Sequence, residues 1–274
     1  MVVGLFVDVA FRPGCGPYKV QHNLMRGLEK IGVEVKVNNP GDLTGCIHDF
    51  PGIRSLSANT LLGPNIFNRP RDRADLMAKF HNLLVPSKWI ETMYRRDIGG
   101  SKRVVVWPVG IDVESFSVKK DSDVDCLLYV KNRSEDEVLS VCTMLADERQ
   151  SHIKLCYGQY DEAQHLDALR RCRYCILLTN TESQGIGYME TLSTGTPCFV
   201  LDMDHYLDNP ATSVPYFEDR CGYMSALKND GSHKHDFNVF LSSLGQYDPR
   251  SYILEHHTLE AAAKVYVELL RESV

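Results

Sequence analysis

Two glutamates, Glu182 and Glu190, lie eight positions apart on either side of two glycines, Gly185 and Gly187. A carboxylate accepts hydrogen bonds from hydroxyl groups, and the free backbone amides at the start of a helix bind anions such as phosphate. A nucleotide sugar carries both kinds of group, so this spacing predicts a binding site for such a ligand. The residues expected to contact it are Glu182, Ser183, Gln184, Gly185, Ile186, Gly187 and Glu190.

The neighbouring residues predict that this stretch is a strand–loop–helix–strand crossover. Apolar runs at 174–178 and 198–201 are typical of buried strands. The two glycines favour the start of a short helix, and Gly195 with Pro197 favours its end. Glu182 is then expected in the loop at the carboxyl end of a strand, where open parallel sheets bind ligands.

Strands and helices alternate along the whole chain, which predicts an α/β protein with parallel sheets and crossover helices. The predicted strands are 2–9, 33–37, 43–48, 82–85, 103–107, 126–130 and 153–157, in addition to the two above, and the other predicted helices are 18–31, 72–80, 86–96, 134–146, 162–171 and 259–270. Residues 49–68 are predicted to be a loop. The apolar pattern breaks near 118–123, which predicts a domain 1–120, a domain 121–254 and a C-terminal helix within 255–274.

Composition restricts the class of protein. The net charge of -6 disfavours general nucleic-acid binding, and no apolar stretch is long enough to span a bilayer. Nine scattered cysteines and the absence of a basic signal sequence favour a reducing, cytoplasmic location. Basic residues at 69–73, 95–96 and 102–103 could contact an anionic acceptor or a membrane surface, although solvated helix ends are the favoured interpretation. Cys172 and Cys175 have no second pair, so zinc is not expected.

The segment 182–197 resembles the donor-site signature of retaining glycosyltransferases with the GT-B architecture, especially glycosyltransferase family four. That signature is a glutamate, seven residues, a second glutamate, small residues and then Gly-x-Pro. The resemblance implies that Glu182 approaches the donor sugar and that Glu190 binds the nucleotide ribose. It also implies two Rossmann-like domains facing each other across a cleft, here with a reduced N-terminal domain, and a final helix that packs back on the first domain.

Further segments resemble the same family. Residues 85–89 are similar to its Val-Pro-Ser strand end, and residues 107–112 to its Pro-x-Gly-Val-Asp turn. The loop 12–17, with Gly14 and Gly16, resembles the family's glycine-rich loop near the donor phosphate. A nicotinamide-cofactor fingerprint is disfavoured because its third glycine is replaced by Lys19, and a plain tight turn remains an alternative.

The family places cations at the end of the first strand of the second domain, where this chain has Lys131 and Arg133. The resemblance therefore implies that they neutralise the donor diphosphate as catalytic residues. The match is partial, because position 138 is valine, and a solvated loop is the alternative. His48 ends a predicted strand and is expected either to reach the cleft as a hydrogen-bond donor, near the acceptor, or to be structural.

The resemblance implies retaining transfer of a sugar from a nucleotide-diphosphate-sugar donor to a glycan or other hydroxyl acceptor, with no metal and no cofactor. Two other functions stay open. A non-catalytic nucleotide-sugar binding module would bind nucleotide without transfer, and a sugar-nucleotide epimerase would act on the donor alone. An ordinary crossover helix with solvated glutamates is the non-functional alternative.

Overall fold

The computed structural model describes residues 1–8, 10–11, 15–66, 69–100, 102–117, 121–202, 211–226 and 231–274. These residues form two compact units, one made of Met1–Gly110 and His256–Val274 and the other of Ile111–Glu255. Each unit contains one fully parallel sheet with crossover helices. The predicted α/β class with two Rossmann-like domains is confirmed.

The elements are numbered along the chain. The strands are β1 (Val2–Phe6), β2 (Glu34–Val37), β3 (Leu43–His48), β4 (Leu61–Asn65), β5 (Asn82–Val85), β6 (Arg103–Val106), β7 (Val124–Lys131), β8 (His152–Cys156), β9 (Cys172–Thr179), β10 (Cys198–Asp202) and β11 (Gly222–Ala226). The helices are α1 (Gly16–Lys30), α2 (Ala74–Lys79), α3 (Lys88–Ile98), α4 (Glu135–Asp147), α5 (Glu162–Arg171), α6 (Ile186–Ser193), α7 (Ser232–Ser242), α8 (Pro249–His256) and α9 (Leu259–Arg271).

The first unit has the strand order β2-β1-β3-β4-β5-β6. The chain leaves β1 for β2 on one side and returns to β3 on the other, so the topological switch point lies between β1 and β3. One core cluster of this unit packs Phe80, Leu83 and Ile90 together with other buried side chains. Because the strands are parallel, Asp8 after β1 and His48 at the end of β3 lie at the same edge of the sheet.

The strand β4 corrects the prediction of a loop at 49–68. Leu61 and Leu62 are 0% and 2% exposed, and β4 pairs with both β3 and β5. The sequence pattern did not predict β4 because Gly63 and Pro64, which are joined by a cis peptide bond, are residues that usually interrupt strands. Gly63 is required here: its φ is 126°, and a Cβ atom would lie 2.1 Å from the Leu84 carbonyl oxygen.

Other predicted boundaries also shift. Residues 70–73 form a 3-10 turn (Pro70–Arg73) before α2, so the helix predicted at 72–80 is shorter. Helix α3 begins at Lys88 after Ser87 and not at Pro86. The strand β11 and the helices α7 and α8 lie in a region where the sequence pattern predicts no element.

Helix α9 belongs to the first unit and packs along α1. A Cβ atom at Gly27 of α1 would lie 2.4 Å from the Leu259 carbonyl oxygen, so the two helices require glycine at this contact. The Trp107 indole donates a 2.8 Å hydrogen bond to the Ala262 carbonyl, and its ring meets Tyr266 edge-on at 5.2 Å. Both aromatic side chains are fully buried.

The second unit has the strand order β11-β10-β9-β7-β8, with its switch point between β7 and β9. Its core contains an aromatic cluster in which both Tyr174 and Phe199 contact Phe237 and Phe240, with centroids of the contacting rings 5.2–6.3 Å apart. The nine cysteines of the chain are all free thiols. None of the helices in the described ranges is both long and apolar enough to cross a membrane.

Candidate functional site

Lys131 and Glu182 meet at the switch point of the second unit. Lys131 is the last residue of β7, where it pairs in register with Thr179 of β9, and Glu182 follows three residues after that strand. The Lys131 Nζ atom lies 2.7 Å from Oε1 and 2.9 Å from Oε2 of Glu182. The side chains are 20% and 14% exposed, so this ion pair is largely shielded from water.

The ionisation of Glu182 reflects this shielding. Burial raises the pKa of the Glu182 carboxyl above its ordinary value, and the charge and hydrogen bonds of Lys131 oppose that shift only in part. The same carboxylate contributes to the raised pKa values of Tyr129 and Tyr188, which burial chiefly causes. The site therefore combines a carboxylate, an ammonium group and two tyrosines in a poorly solvated environment.

The loop that carries Glu182 is held by the end of β10. The Glu182 amide donates to the Thr212 carbonyl at 2.9 Å, and the Thr212 hydroxyl donates to Asp202 Oδ2 at 2.8 Å. The Ser213 amide donates to the other carboxylate oxygen of Asp202 at 3.0 Å. Asp202 thus positions the backbone at Glu182 through residues that the sequence did not single out.

Lys131 also lies over the ring of Tyr157, with its Nζ atom 4.3 Å from the ring centroid. Tyr157 follows β8 and is 52% exposed. The ammonium group is consequently held by two neighbours, a carboxylate from one adjacent strand end and an aromatic ring from the other.

Arg133 is placed differently from Lys131. Its side chain is 2% exposed, and the guanidinium donates to the Thr179 carbonyl at 2.9 Å, to Glu137 Oε1 at 2.7 Å and to the Leu201 carbonyl. Arg133 therefore joins the ends of β9 and β10 to the first turn of α4. Its predicted contact with a diphosphate stays a prediction, and the described contacts give it a structural role.

Helix α6 begins directly after this ion pair. Gly185 precedes it with a φ of 73° and supplies no capping side chain, so the first amides of α6 have no side-chain cap. A Cβ atom at Gly185 would lie 1.9 Å from the Tyr188 ring, so glycine is required for space as well as for conformation. At Gly187 a Cβ atom would lie 3.4 Å from the Tyr129 hydroxyl group, which is an ordinary contact distance.

The remaining predicted residues of this stretch lie on the loop and on α6. Ser183 is exposed, whereas Gln184 and Ile186 are buried. Glu190 is 5% exposed in the second turn of α6.

Arg250 lies at the other end of this helix, where it donates to the Ser193 carbonyl. This contact places a cation at the negative end of the helix dipole.

Three predicted residues, Gly14, Gly16 and His48, precede the second unit in the sequence. Gly14 lies outside the described residues, and Gly16 is the first residue of α1. His48 is fully buried at the end of β3, with Nδ1 3.2 Å from the Asp8 amide nitrogen and Nε2 3.3 Å from Asn65 Nδ2. Its predicted contact with an acceptor stays a prediction.

The environment of His48 fixes its ionisation. Burial lowers the pKa of the imidazole to about 4, against a hydrogen bond to the Pro17 backbone and the charge of Asp8. His48 is therefore neutral at pH 7. Because Nδ1 accepts from the Asp8 amide, the ring proton is assigned to Nε2.

The described residues contain no group of three or more His, Cys, Asp or Glu side chains arranged to hold a metal ion. Lys131 is paired with Glu182, and Arg133 is paired with Glu137.

Solved structures similar to this chain include three glycosyltransferases. Sucrose-phosphate synthase from Thermosynechococcus elongatus has a TM-score of 0.67 at 13% identity, over 99% of this chain and 98% of that one. The lipopolysaccharide outer core galactosyltransferase WaaB has a TM-score of 0.60 at 13% identity, over the whole of both chains. Anabaena HepE, solved with UDP and glucose, has a TM-score of 0.57 at 12% identity, over 98% of this chain and 99% of that one.

At these identities the similarity shows the fold, which is that of GT-B glycosyltransferases. No protein-family model and no curated protein matches the sequence.

Proposed function

We propose that this protein is a retaining, metal-independent glycosyltransferase of the family-four type, which moves a sugar from a nucleotide-diphosphate-sugar donor to a glycan or other hydroxyl acceptor. The observation that carries the proposal is the shielded Lys131–Glu182 pair at the switch point of the second sheet, next to the glycine-opened start of α6. Ligands of doubly wound sheets bind at such points. Because HepE was solved with UDP and glucose, UDP-sugars are the first donors to test.

The charges of the site suit a leaving diphosphate. An ammonium group has three N–H donors, and the Glu182 carboxylate occupies at most two of them, so Lys131 can also bond a phosphate oxygen. The amides at the start of α6 and the helix dipole attract the same negative charge. Lys131 is held by Glu182 and the Tyr157 ring, so it would stabilise the developing charge with little reorganisation.

Glu182 would then orient the donor sugar by accepting hydrogen bonds from its hydroxyl groups. In the proposed mechanism the leaving phosphate oxygen helps to deprotonate the acceptor on the same face of the sugar, so no protein nucleophile is needed. Glu190 is proposed to bind the ribose hydroxyls of the nucleotide, and Gly14 and Gly16 to lie near the donor phosphate. The nine free thiols favour a reducing compartment, for which we propose the cytoplasm.

The first test is binding. Calorimetric titration with UDP-, GDP- and ADP-sugars is expected to identify one nucleotide that binds the wild-type chain. Glu190→Ala should weaken its affinity at least tenfold, whereas Glu162→Ala, an exposed change on α5, should not. Equal affinity of the Glu190→Ala and wild-type proteins would contradict the ribose contact.

The second test is turnover. With the donor identified, incubation with candidate acceptors in EDTA should give a product whose anomeric configuration, measured by NMR, equals that of the donor sugar. Glu182→Gln should remove most transfer and leave the far-UV circular dichroism spectrum unchanged. Inversion of the anomeric centre would refute the retaining assignment, loss of activity in EDTA would refute metal independence, and a new sugar nucleotide formed without acceptor would indicate an epimerase.

A further inference from the structure

Tyr129 and Tyr160 form a pair of hydroxyl groups beside the ion pair of Lys131 and Glu182. Tyr129 lies two positions before Lys131 on β7, so both side chains point to the same face of the sheet. Tyr160 follows β8, and its hydroxyl donates to the Tyr129 hydroxyl at 3.1 Å, while the two rings meet edge-on with centroids 6.0 Å apart. The carboxyl end of this sheet thus carries a hydroxyl pair in addition to the ion pair.

The Tyr129 hydroxyl faces the space that Gly187 leaves open in the first turn of α6. A Cβ atom at Gly187 would lie 3.4 Å from the hydroxyl oxygen and 3.8 Å from the ring carbon that carries it. Apart from α6 itself, no other described residue has an atom within 4 Å of that position. Gly187 is half-buried, so the space is partly open to solvent. A ligand group that entered it would contact the Tyr129 hydroxyl.

The hydrogen bond from Tyr160 makes the Tyr129 hydroxyl a donor towards this space. A phenol has one O–H bond to donate, and the Tyr129 oxygen already accepts from Tyr160, which is its sole hydrogen-bond partner among the described residues. Tyr129 is 7% exposed, and burial raises the pKa of its hydroxyl above the ordinary value, with smaller contributions from Tyr160 and from the charge of Glu182. The hydroxyl therefore keeps its proton throughout the neutral pH range.

The groups around the start of α6 favour a ligand that only accepts hydrogen bonds. The first amides of the helix have no side-chain cap, and the ammonium group of Lys131 ends the strand that carries Tyr129. Both are donors, as is the Tyr129 hydroxyl. The oxygens of an ionised phosphate group are acceptors only, and bonds to them are strengthened by their charge. A sugar hydroxyl also has a proton to donate, so it suits this set of donors less well.

We infer that Tyr129 donates a hydrogen bond to a phosphate oxygen of the donor diphosphate, and that Tyr160 positions the Tyr129 hydroxyl for this contact. Tyr129 is then a binding residue beside Lys131, whereas Tyr160 acts only through Tyr129. Gly187 leaves the room for the contact, because a methyl group there would lie against the hydroxyl. The assignment of the phosphate to a nucleotide sugar rests on the proposed function, but the binding of a free diphosphate does not.

The test is calorimetric titration of the full chain with inorganic pyrophosphate and with UDP, GDP and ADP. Tyr129→Phe keeps the buried ring and removes only the hydroxyl. It should weaken the binding of pyrophosphate, and of the nucleotide that binds, about tenfold, because a hydrogen bond to a charged group is lost. Far-UV circular dichroism should show an unchanged fold.

Tyr174→Phe is the matched control for the loss of a tyrosine hydroxyl. Tyr174 is fully buried in the same unit, and its hydroxyl donates to Gln150 at 3.1 Å. It pairs in register with Cys126 of β7, so its ring lies on the face of the sheet opposite to Tyr129. Tyr174→Phe should leave the affinity for every probe unchanged.

A double-mutant cycle tests the positioning role of Tyr160. Tyr160→Phe should weaken pyrophosphate binding about threefold in the wild-type chain and have no further effect in Tyr129→Phe, because the two hydroxyls act as a unit. Equal effects in both backgrounds would refute the positioning role. Gly187→Ala should weaken binding at least as much as Tyr129→Phe, and undiminished binding in this variant would show that no phosphate enters the space beside the hydroxyl.

The outcomes separate this inference from the proposed function. Unchanged affinity in Tyr129→Phe, equal losses in Tyr129→Phe and Tyr174→Phe, or a wild-type chain that binds neither pyrophosphate nor any of the nucleotides would overturn the inference. Pyrophosphate binding with the expected variant effects, but without binding of any nucleotide, would sustain the Tyr129 contact and refute the proposed transferase. A nucleotide that binds wild type and Tyr129→Phe equally well would sustain the proposed function without this contact.

Discussion

The ammonium group of Lys131 bonds both carboxylate oxygens of Glu182, 51 residues further along the chain, at 2.7 and 2.9 Å. One residue ends β7 and the other follows the neighbouring strand β9, so the topology of the fold brings them together. Burial raises the pKa of Glu182 even with this partner. The pair therefore holds a charge that water would stabilise better, as expected of a site prepared for a polar ligand.

Replacing Lys131 with methionine should leave Glu182 buried without its cation. The pKa of Glu182 would rise further, so the folded state would bind a proton more readily than the unfolded state and lose stability as the pH rises above about 4.5. We expect a loss of about 1–3 kcal/mol at pH 8 and a smaller loss at pH 5. Urea denaturation at both pH values measures this loss of stability. Lys154→Met, at an exposed lysine of β8, is the control, and an equal loss at both pH values would contradict the prediction.

Substitution of Arg133 by lysine should destabilise the second unit. A lysine cannot reach the Thr179 and Leu201 carbonyls and Glu137 together, so buried acceptors lose their donors. The expected cost is about 1–3 kcal/mol in chemical denaturation. Arg173→Lys, at a 53% exposed arginine paired with Asp125, should cost under about 0.5 kcal/mol. Equal stability of the two variants would refute the structural role of Arg133.

Two glycines near the ends of α6 allow the energetic cost of backbone strain to be measured separately from that of a steric clash. Gly185 and Gly195 both have a left-handed φ, of 73° and 77°, but a Cβ atom would collide with Tyr188 only at Gly185. Gly195→Ala should therefore cost about 1–2 kcal/mol of conformational strain. Gly185→Ala should cost more and should also weaken nucleotide binding by moving the start of the helix. Thermal denaturation and calorimetry measure both effects, and equal costs would show that the close approach of Tyr188 has no energetic consequence.

His48 and His257 should make the protein sensitive to acid. Burial lowers both pKa values to about 4, so the folded state binds fewer protons than the unfolded state between about pH 4 and 6.5. Stability is then complete above pH 6.5 and is lost as the pH falls towards 4, by at most about 3 kcal/mol for each histidine. His48→Asn should reduce this loss in urea denaturation measured from pH 4 to 7. An imidazole of His48 that titrates near 6.5 by NMR would contradict the prediction.

Much of the architecture could be predicted from the sequence, because several local signals in the same segment indicate the same element. At 172–202 an apolar run, two glycines and a Gly-x-Pro exit agree on one crossover, and the structure has β9, α6 and β10 at those positions. The strand β4 could not be found in this way. Its Gly63 and Pro64 contradict a strand locally, and only the neighbouring strands β3 and β5 impose the extended conformation.

The contacts within the candidate site were harder to predict from the sequence. Lys131 and Arg133 are two positions apart and carry the same charge, yet one meets Glu182 and Tyr157 while the other is buried between strand ends. Asn132 between them has a φ of 54°, a left-handed conformation that asparagine adopts more readily than most residues. Asp202 and Arg250 act on α6 and its loop over long sequence separations. Such contacts depend on the register of the sheet and not on local spacing.

Helix α9 belongs to the first unit, although the 145 residues of the second unit, from Ile111 to Glu255, separate it in sequence from Gly110. During translation the ribosome delivers β1 to β6 first, and Trp107 lacks its partners until Ala262 and Tyr266 emerge. The second unit has all of its sequence earlier and can mature first. A nascent chain halted before residue 256 would thus carry an uncovered apolar flank, a natural binding target for chaperones.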